Sequence, residues 1–234
     1  MIEVWQADLA RPSRSDADLR TLLADEEIVR ADRFHFERDR SRFIRRRAFR
    51  RLWISRRLGL DPTRLQFTTG IHGKPALADG PEGFEFNCSA SADRALLAIS
   101  MVGSVGVDLE QHRSFESDLA LVMDLFAPEE RGILESLDPP AQAQRFFECW
   151  SRKEALVKAI GSGLYLPLDH FAVPLAPTVL IEPALWDPRA GPQKPYWISS
   201  LALGSGWSGA VATQSPVPPQ LHTWNWKYAE SQSQ

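Results

Sequence analysis

The chain has 234 residues, of which 44% are hydrophobic, 24% charged and 10% aromatic, a globular composition that excludes disordered, collagen-like and coiled-coil classes. At about 100–200 residues per domain, the length fits one large domain or two small ones that fold without a metal or disulfide staple. The net charge of −3 excludes a chain-wide basic surface, but twelve arginines between residues 30 and 57 face only Asp32, Glu37 and Asp39, so this stretch carries +9 and the rest −12.

Taken in chain order, Ile2 to Ala7 alternates as a strand would, and Asp16 to Arg33 reads as one or two helices. They lead into an arginine-rich helix that ends near Gly59, where Asp61-Pro62 breaks the pattern. In it Ile44, Ala48 and Leu52 repeat at helical spacing beside Phe49 and Trp53. Arg46, Arg50 and Arg57 fall opposite them, and Arg45, Arg47 and Arg51 blur the division. This is a half-buried helix with an excess of cations, suited to a solvated face or to a polyanion: nucleic acid, a phosphorylated small molecule or an acidic protein surface.

Short strands follow around Leu65 to Thr69, Pro75 to Ala78 and Phe84 to Cys88, divided by Gly70, Gly73 and Gly80-Pro81. Ala95 to Met101 and Val105 to Glu110, on either side of Gly103, suggest a hairpin. Helical patterns run over Asp118 to Phe126, Pro128 to Leu137 and Ala141 to Ile160, with Gly161 as a C-terminal cap. Strand candidates come last, at His170 to Val173, Val179 to Glu182, Tyr196 to Leu203 and Trp207 to Thr213. The order is α+β, with no sequence repeat to mark the halves as duplicates. The expected division is a first α+β subdomain over 1–102, a second over 103–222, and a loosely held tail over 223–234.

Cys88 and Cys149 lack CxxC spacing, which argues against a disulfide scaffold or zinc site and points to a reducing compartment, with both read as buried hydrophobes. The first residues have no cationic head or apolar run, and no stretch approaches about 18 consecutive apolar residues. A soluble, cytoplasmic protein without a membrane partner is expected.

Two places carry chemistry. In Val105-Gly106-Val107-Asp108-Leu109-Glu110 the period of two puts Asp108 and Glu110 side by side on one strand face. Such a pair faces water or a relieving cation, and hard oxygen ligands suit Mg²⁺ or Mn²⁺. In the helix through Ile160, Phe146, Cys149, Trp150, Leu156, Val157 and Ile160 form an apolar stripe with Lys153 in its middle. Lysine is rarely buried unpaired, so Lys153 is expected to point out toward an anion. Glu154 and Lys158 flank the stripe, either as a surface ion pair or as a third metal carboxylate beside phosphate-holding lysines.

Gly106-Val107-Asp108-Leu109-Glu110, followed by Trp150-Ser151-Arg152-Lys153-Glu154-Ala155-Leu156-Val157-Lys158, resembles the paired signature of the 4′-phosphopantetheinyl transferases. Gly73-Lys74-Pro75 and Phe86-Asn87 leading into Ser89-Ala90-Ser91 are similar to the Sfp-type branch. The resemblance runs from about Arg30 to Leu168. It implies a monomer of two similar α+β subdomains, a pseudo-dimer with the site in the cleft between them. The implied reaction moves phosphopantetheine from coenzyme A to a serine of an acyl or peptidyl carrier protein, releasing 3′,5′-ADP.

By the same resemblance, Asp108, Glu110 and Glu154 would hold Mg²⁺, with Lys153 and Glu154 at the reacting centre and Glu130, next to Glu129, as general base. Lys158, Lys74, Arg42, Ser89 and Arg30 would bind coenzyme A. The family histidine expected on the 3′-phosphate is Ala90 here, which costs one charge-assisted contact unless an arginine of the basic block substitutes. A member that binds coenzyme A or a carrier without transfer is the alternative. Nucleic-acid binding is not expected, since the chain has no aromatic platform or helix-turn-helix spacing.

Overall fold

In the computed structural model, residues 2–70, 72–113, 122–163, 166–174, 178–181, 195–214 and 221–225 are described. Strand β1 (Ile2–Asp8) leads through helix α1 (Asp16–Arg20), capped by the Ser15 hydroxyl, and α2 (Asp25–Asp32) into the 22-residue helix α3 (Glu37–Leu58). A short hairpin, β2 (Phe67–Thr69) and β3 (Pro75–Leu77), precedes β4 (Glu85–Ser91) and β5 (Arg94–Ser100). The second half holds β6 (Val105–Gln111), α4 (Pro128–Glu135), α5 (Pro139–Ile160), β7 (Thr178–Ile181), β8 (Tyr196–Ser200), β9 (Trp207–Thr213) and β10 (Leu221–Asn225).

One four-stranded sheet has the order β10-β1-β5-β4 and the other β6-β9-β8-β7. Each strand uses its two faces differently, and that builds four layers. Trp5 and Ala7 of β1 and Leu97 and Ile99 of β5 pack under α1 and α3, against Leu19, Phe43, Phe49 and Trp53. The alternate residues Ile2, Val4, Leu96 and Ala98 turn the other way and meet Val105, Val107, Leu109 and Val211 of the second sheet. Beyond that sheet, Ala210, Ala212 and Ile198 pack under α5 through Phe146, Ala155, Leu156 and Ala159. The two sheets therefore lie face to face with helices on both outer sides, a mixed α+β arrangement of two subdomains.

Several expectations are corrected by this topology. The segments on either side of Gly103 form no hairpin: β5 pairs with β1 and β4, whereas β6 pairs antiparallel with β9 in the other sheet. Residues 223–225, expected to open a loose tail, belong with Leu221 and His222 to β10, which pairs parallel with β1 of the first sheet, Ile2 opposite Leu221. Over His170 to Val173 the chain is not a strand: Leu168–His170 is a short 3-10 turn. The Asp118 to Phe126 helix lies partly outside the described residues, as does Pro216 to Pro219. Cys149 is buried and Cys88 only half-buried, and both are free thiols.

Helix α3 also departs from its reading. Arg50 and Arg51 are buried, at 6% and 1% exposure, and both close on the buried carboxylate of Glu27. Arg50 Nη2 lies 2.8 Å from Oε1 and Arg51 Nε bonds Oε2. Arg51 also donates to the carbonyls of Pro62 and Leu65 at 2.6 and 3.0 Å. Arg45 pairs with Asp16 at 2.6 Å and Arg57 with Glu3 at 3.0 Å. Much of the basic block thus holds α3 to its own subdomain, since a buried guanidinium is tolerated only with its donors satisfied.

Candidate active site

Strand β4 is the edge of the first sheet and β6 the edge of the second, and side chains sew them together. Alternation on β4 turns Asn87, Ser89 and Ser91 to one side. Asn87 Oδ1 accepts from the Val107 amide at 2.9 Å, and Ser89 Oγ donates to Asp108 Oδ1 at 2.9 Å. Ser91 Oγ donates to Glu110 Oε2 at 3.2 Å and accepts from the Gln111 amide at 3.1 Å. The Asn-x-Ser-x-Ser spacing is therefore the seam between the subdomains.

Helix α5 closes the site from the second half. Asp138 caps its start by accepting from the Ala141 amide at 3.0 Å, and Gly161, at φ 78°, ends it in the left-handed conformation that glycine adopts freely. It lies so close on β6 that a Cβ at Gly106 would stand 2.1 Å from the Ala155 carbonyl oxygen and 2.3 Å from the Ala159 nitrogen. Glycine there lets the backbones touch, and the touch carries Glu154 and Lys158 to Asp108. Lys158 Nζ bonds Asp108 Oδ1 and lies 3.3 Å from Ser89 Oγ.

Asp108 is buried, and its Oδ2 has no hydrogen-bond partner among the described residues. Burial, and then the charge of Asp108, pushes the Glu110 carboxyl above its ordinary value, although the Ser91 hydrogen bond opposes this. Burial also raises Glu154, where Lys158 pulls down and Asp108 pushes up. A buried carboxylate oxygen without a donor, flanked by two carboxyls reluctant to ionise, is what a divalent cation relieves. Among the described residues, no three acidic, thiol or imidazole groups converge at ligand distance, and the Lys158 ammonium supplies positive charge at Asp108. Asp108, Glu110 and Glu154 are hard oxygen donors of the chemical kind that Mg²⁺ takes, but in this structure they do not converge on one point.

A cavity of 310 Å³ opens here, lined by Lys74, Asn87, Cys88, Glu154, Lys158 and Gly161, among others. Lys74 enters from the β2–β3 hairpin, with Nζ 3.0 Å from Glu85 and 3.4 Å from the Ala159 carbonyl. The structure thus gathers Asp108, Glu110, Glu154, Lys158, Ser89 and Lys74. Arg42 stands apart, bound to Asp93 at 2.7 Å, and Arg30 is exposed on the wall of a neighbouring cavity.

Lys153 and Glu130 are not in the cleft. Lys153 is fully buried, and its ammonium donates to Glu130 Oε2 at 2.7 Å, to the Leu168 carbonyl at 2.8 Å and to the Phe171 carbonyl. All three of its protons are placed. Glu130 is buried too, accepting from the Ala127 amide at 2.9 Å and the Val173 amide at 2.8 Å. The expectation that Lys153 points out to an anion is corrected: it meets its carboxylate inside the core. Glu130, so engaged, lines a separate cavity with Ile133, Leu134 and Cys149, and neighbouring Glu129 is exposed. Asn87 and Ser91, which the motif reading quoted without giving them a role in the site, are found by the same two-residue alternation that found Asp108 and Glu110.

Fold and site define a two-subdomain enzyme class, and the chain belongs to the 4′-phosphopantetheinyl transferase superfamily, whose family model matches residues 104–212. The model of the N-terminal domain of 4′-phosphopantetheinyl transferase matches residues 10–102. Among curated relatives, the 4′-phosphopantetheinyl transferase HetI of a Nostoc species is 34% identical over 185 residues, covering 78% of this chain and 76% of its own. The 4′-phosphopantetheinyl transferase Sfp of Bacillus subtilis is 27% identical over 221 residues, 94% of this chain and 95% of its own. In Bacillus pumilus the transferase psf-1 is 29% identical over 216 residues, covering 92% and 89%. No helix among the described residues is long and apolar enough to cross a membrane.

Proposed function

We propose that this chain transfers the 4′-phosphopantetheine group of coenzyme A to a serine hydroxyl of an acyl or peptidyl carrier protein, acting as a cytoplasmic monomer. The observation that carries the reading is the seam itself: Asp108 and Lys158 meet Ser89, and Glu110 meets Ser91, where two family-matched subdomains join, with Glu154 on the adjoining cavity wall. The serine oxygen forms a bond to the β-phosphorus of the pyrophosphate, the bond from that phosphorus to the bridging oxygen breaks, and 3′,5′-ADP leaves with the electron pair.

Such a centre needs charge neutralisation and in-line placement more than covalent help. Lys158 and Lys74, both on the cavity wall, supply positive charge to the phosphates. Asp108, Glu110 and Glu154 would hold Mg²⁺, with Mn²⁺ as a substitute, and a bound ion there supplies further charge neutralisation. The serine proton leaves to water in the cavity, whose wall carries Glu154 and Lys158. Lys153 enters as the support of α5 rather than as a contact to substrate. The reading without transfer has no support in the site, which keeps the acidic and basic groups that a simple binder would not need.

The test is the intact mass of an apo carrier protein after incubation with this protein, coenzyme A and Mg²⁺. A gain of one phosphopantetheine, abolished by a chelator and by Glu154→Ala, is expected. No gain across acyl and peptidyl carriers, with coenzyme A still bound, would overturn the reading.

A further inference from the structure

The separate cavity beside Glu130 has a volume of 280 Å³, and it opens on the side of α5 turned away from the seam. Arg145, on its wall, precedes Glu154 by nine residues, which at about 100° per residue is half a turn around the helix. Helix α4 and the turn after it supply Ile133, Leu134 and Leu137, and the segment after the 3-10 turn supplies Val173 and Pro174. That segment is pinned. The Val173 amide donates to Glu130 at 2.8 Å, the Pro174 carbonyl accepts from Arg152 at 2.8 Å, and the Phe171 carbonyl accepts from Lys153. A cavity with walls so held is formed before any ligand arrives.

Its polar groups are engaged except at one place. The Glu130 carboxylate takes four donors: the Ala127 and Val173 amides, the Lys153 ammonium and the Cys149 thiol. Burial, followed by the charge of Glu130, pushes that thiol well above its ordinary value, so it stays protonated. A ligand therefore meets aliphatic side chains and a neutral thiol on the inner walls. Arg145 differs. It is partly exposed, and among the described residues it donates only through Nη1, to Glu148 at 2.9 Å. Its Nε and Nη2 are left for an anion, and the guanidinium edge matches a carboxylate. An apolar cavity of about 150 Å³ admits benzene, so 280 Å³ has room for about ten to twelve heavy atoms.

We propose that this cavity is a binding site for an aliphatic carboxylate of about eight carbons, its chain among Ile133, Leu134, Leu137 and Val173 and its head on Arg145. The assignment goes beyond the transfer reaction and does not depend on it. Because the same segment and Glu130 brace Lys153, a ligand here stabilises the support of α5 without touching the seam.

The experiment measures calorimetric binding of octanoate, butanoate and octan-1-ol to the whole protein, as wild type, Arg145→Gln and Ile133→Asp. Both variants replace exposed side chains, Ile133 being 55% exposed, and should melt with the wild type. One octanoate per chain should bind the wild type and raise its melting temperature. Butanoate should bind at least tenfold more weakly, since each methylene taken from water is worth about fourfold. Arg145→Gln should weaken octanoate by about tenfold and leave octan-1-ol unchanged, whereas Ile133→Asp should weaken both. Absence of saturable binding, equal binding of the two acids, or octanoate held by Arg145→Gln as tightly as by the wild type overturns the assignment. Displacement of octanoate by coenzyme A also overturns it, because the chain would then lie in the seam cavity. The mass measurement above tests transfer separately, and neither result decides the other.

Discussion

Replacing Lys153 with methionine separates a core lysine from a catalytic one. The ammonium is fully buried, bonded to Glu130 and two carbonyls, and lies 4.3 Å from the Phe171 ring centroid. Lys153→Met keeps the stem volume but leaves the Glu130 charge buried with the Ala127 and Val173 amides and the Cys149 thiol. Breaking a buried pair from one side costs about 3–5 kcal/mol. For a chain of this size, at about 2–4 °C per kcal/mol, the melting temperature should fall by about 6–20 °C. Glu130→Gln should cost a comparable amount by stranding the ammonium, and the double variant should recover about 1–3 kcal/mol of the summed loss, as directly coupled residues do. Thermal and denaturant unfolding of the four proteins measure this. Transfer, assayed at a temperature where all are folded, should keep kcat/KM within about threefold of the wild type. A Lys153→Met protein that melts with the wild type but loses kcat at unchanged KM would refute the placement.

Other outcomes follow from the same geometry. Gly106→Ala forces a methyl into the backbone of α5, and should cost about 1–3 kcal/mol or more by overpacking; it should also lower transfer, because α5 carries Glu154 and Lys158, and unchanged melting and activity would count against the close approach. Asn87→Ala leaves the buried Val107 amide without an acceptor, a loss of about 1–3 kcal/mol visible in urea unfolding. For pH, Glu110 and Glu154 hold their protons more tightly folded than unfolded, so the native state binds more protons and their contribution to stability falls as pH rises from about 4.3, the unfolded value, through the raised folded values. Glu154→Gln should flatten that slope, and Mg²⁺ should reverse it. A difference between wild type and Glu154→Gln that does not vary with pH would contradict the shift.

Local pattern made much of this molecule legible. Period-two alternation located β6 and aimed Asp108 and Glu110 to one side, a proline start located α4, and helical spacing with a glycine end located α5. Long-range pairing is what escaped it. Nothing near Lys153 in sequence announces Glu130, Leu168 and Phe171 as partners, so a lone lysine on an apolar stripe read as outward-facing. Glu27 lies more than twenty residues before the two arginines it neutralises, and composition alone counted those arginines as free charge. The false hairpin at Gly103 has the same origin: two adjacent apolar strands pair locally by default, and only the face-to-face packing of two sheets sends them apart.

The parallel pairing of β10 with β1 has a consequence for how the chain acquires its shape. The strand that completes the first sheet comes more than two hundred residues after the strand it joins, and such distant parallel pairing closes slowly. During synthesis the helices of the first half can cover one face of β1 and β5, while one hydrogen-bonding edge of β1 waits for nearly the whole chain to emerge. An unpaired edge is a template for foreign strands. Truncation before Leu221 should therefore affect aggregation during expression before it affects chemistry at the distant seam.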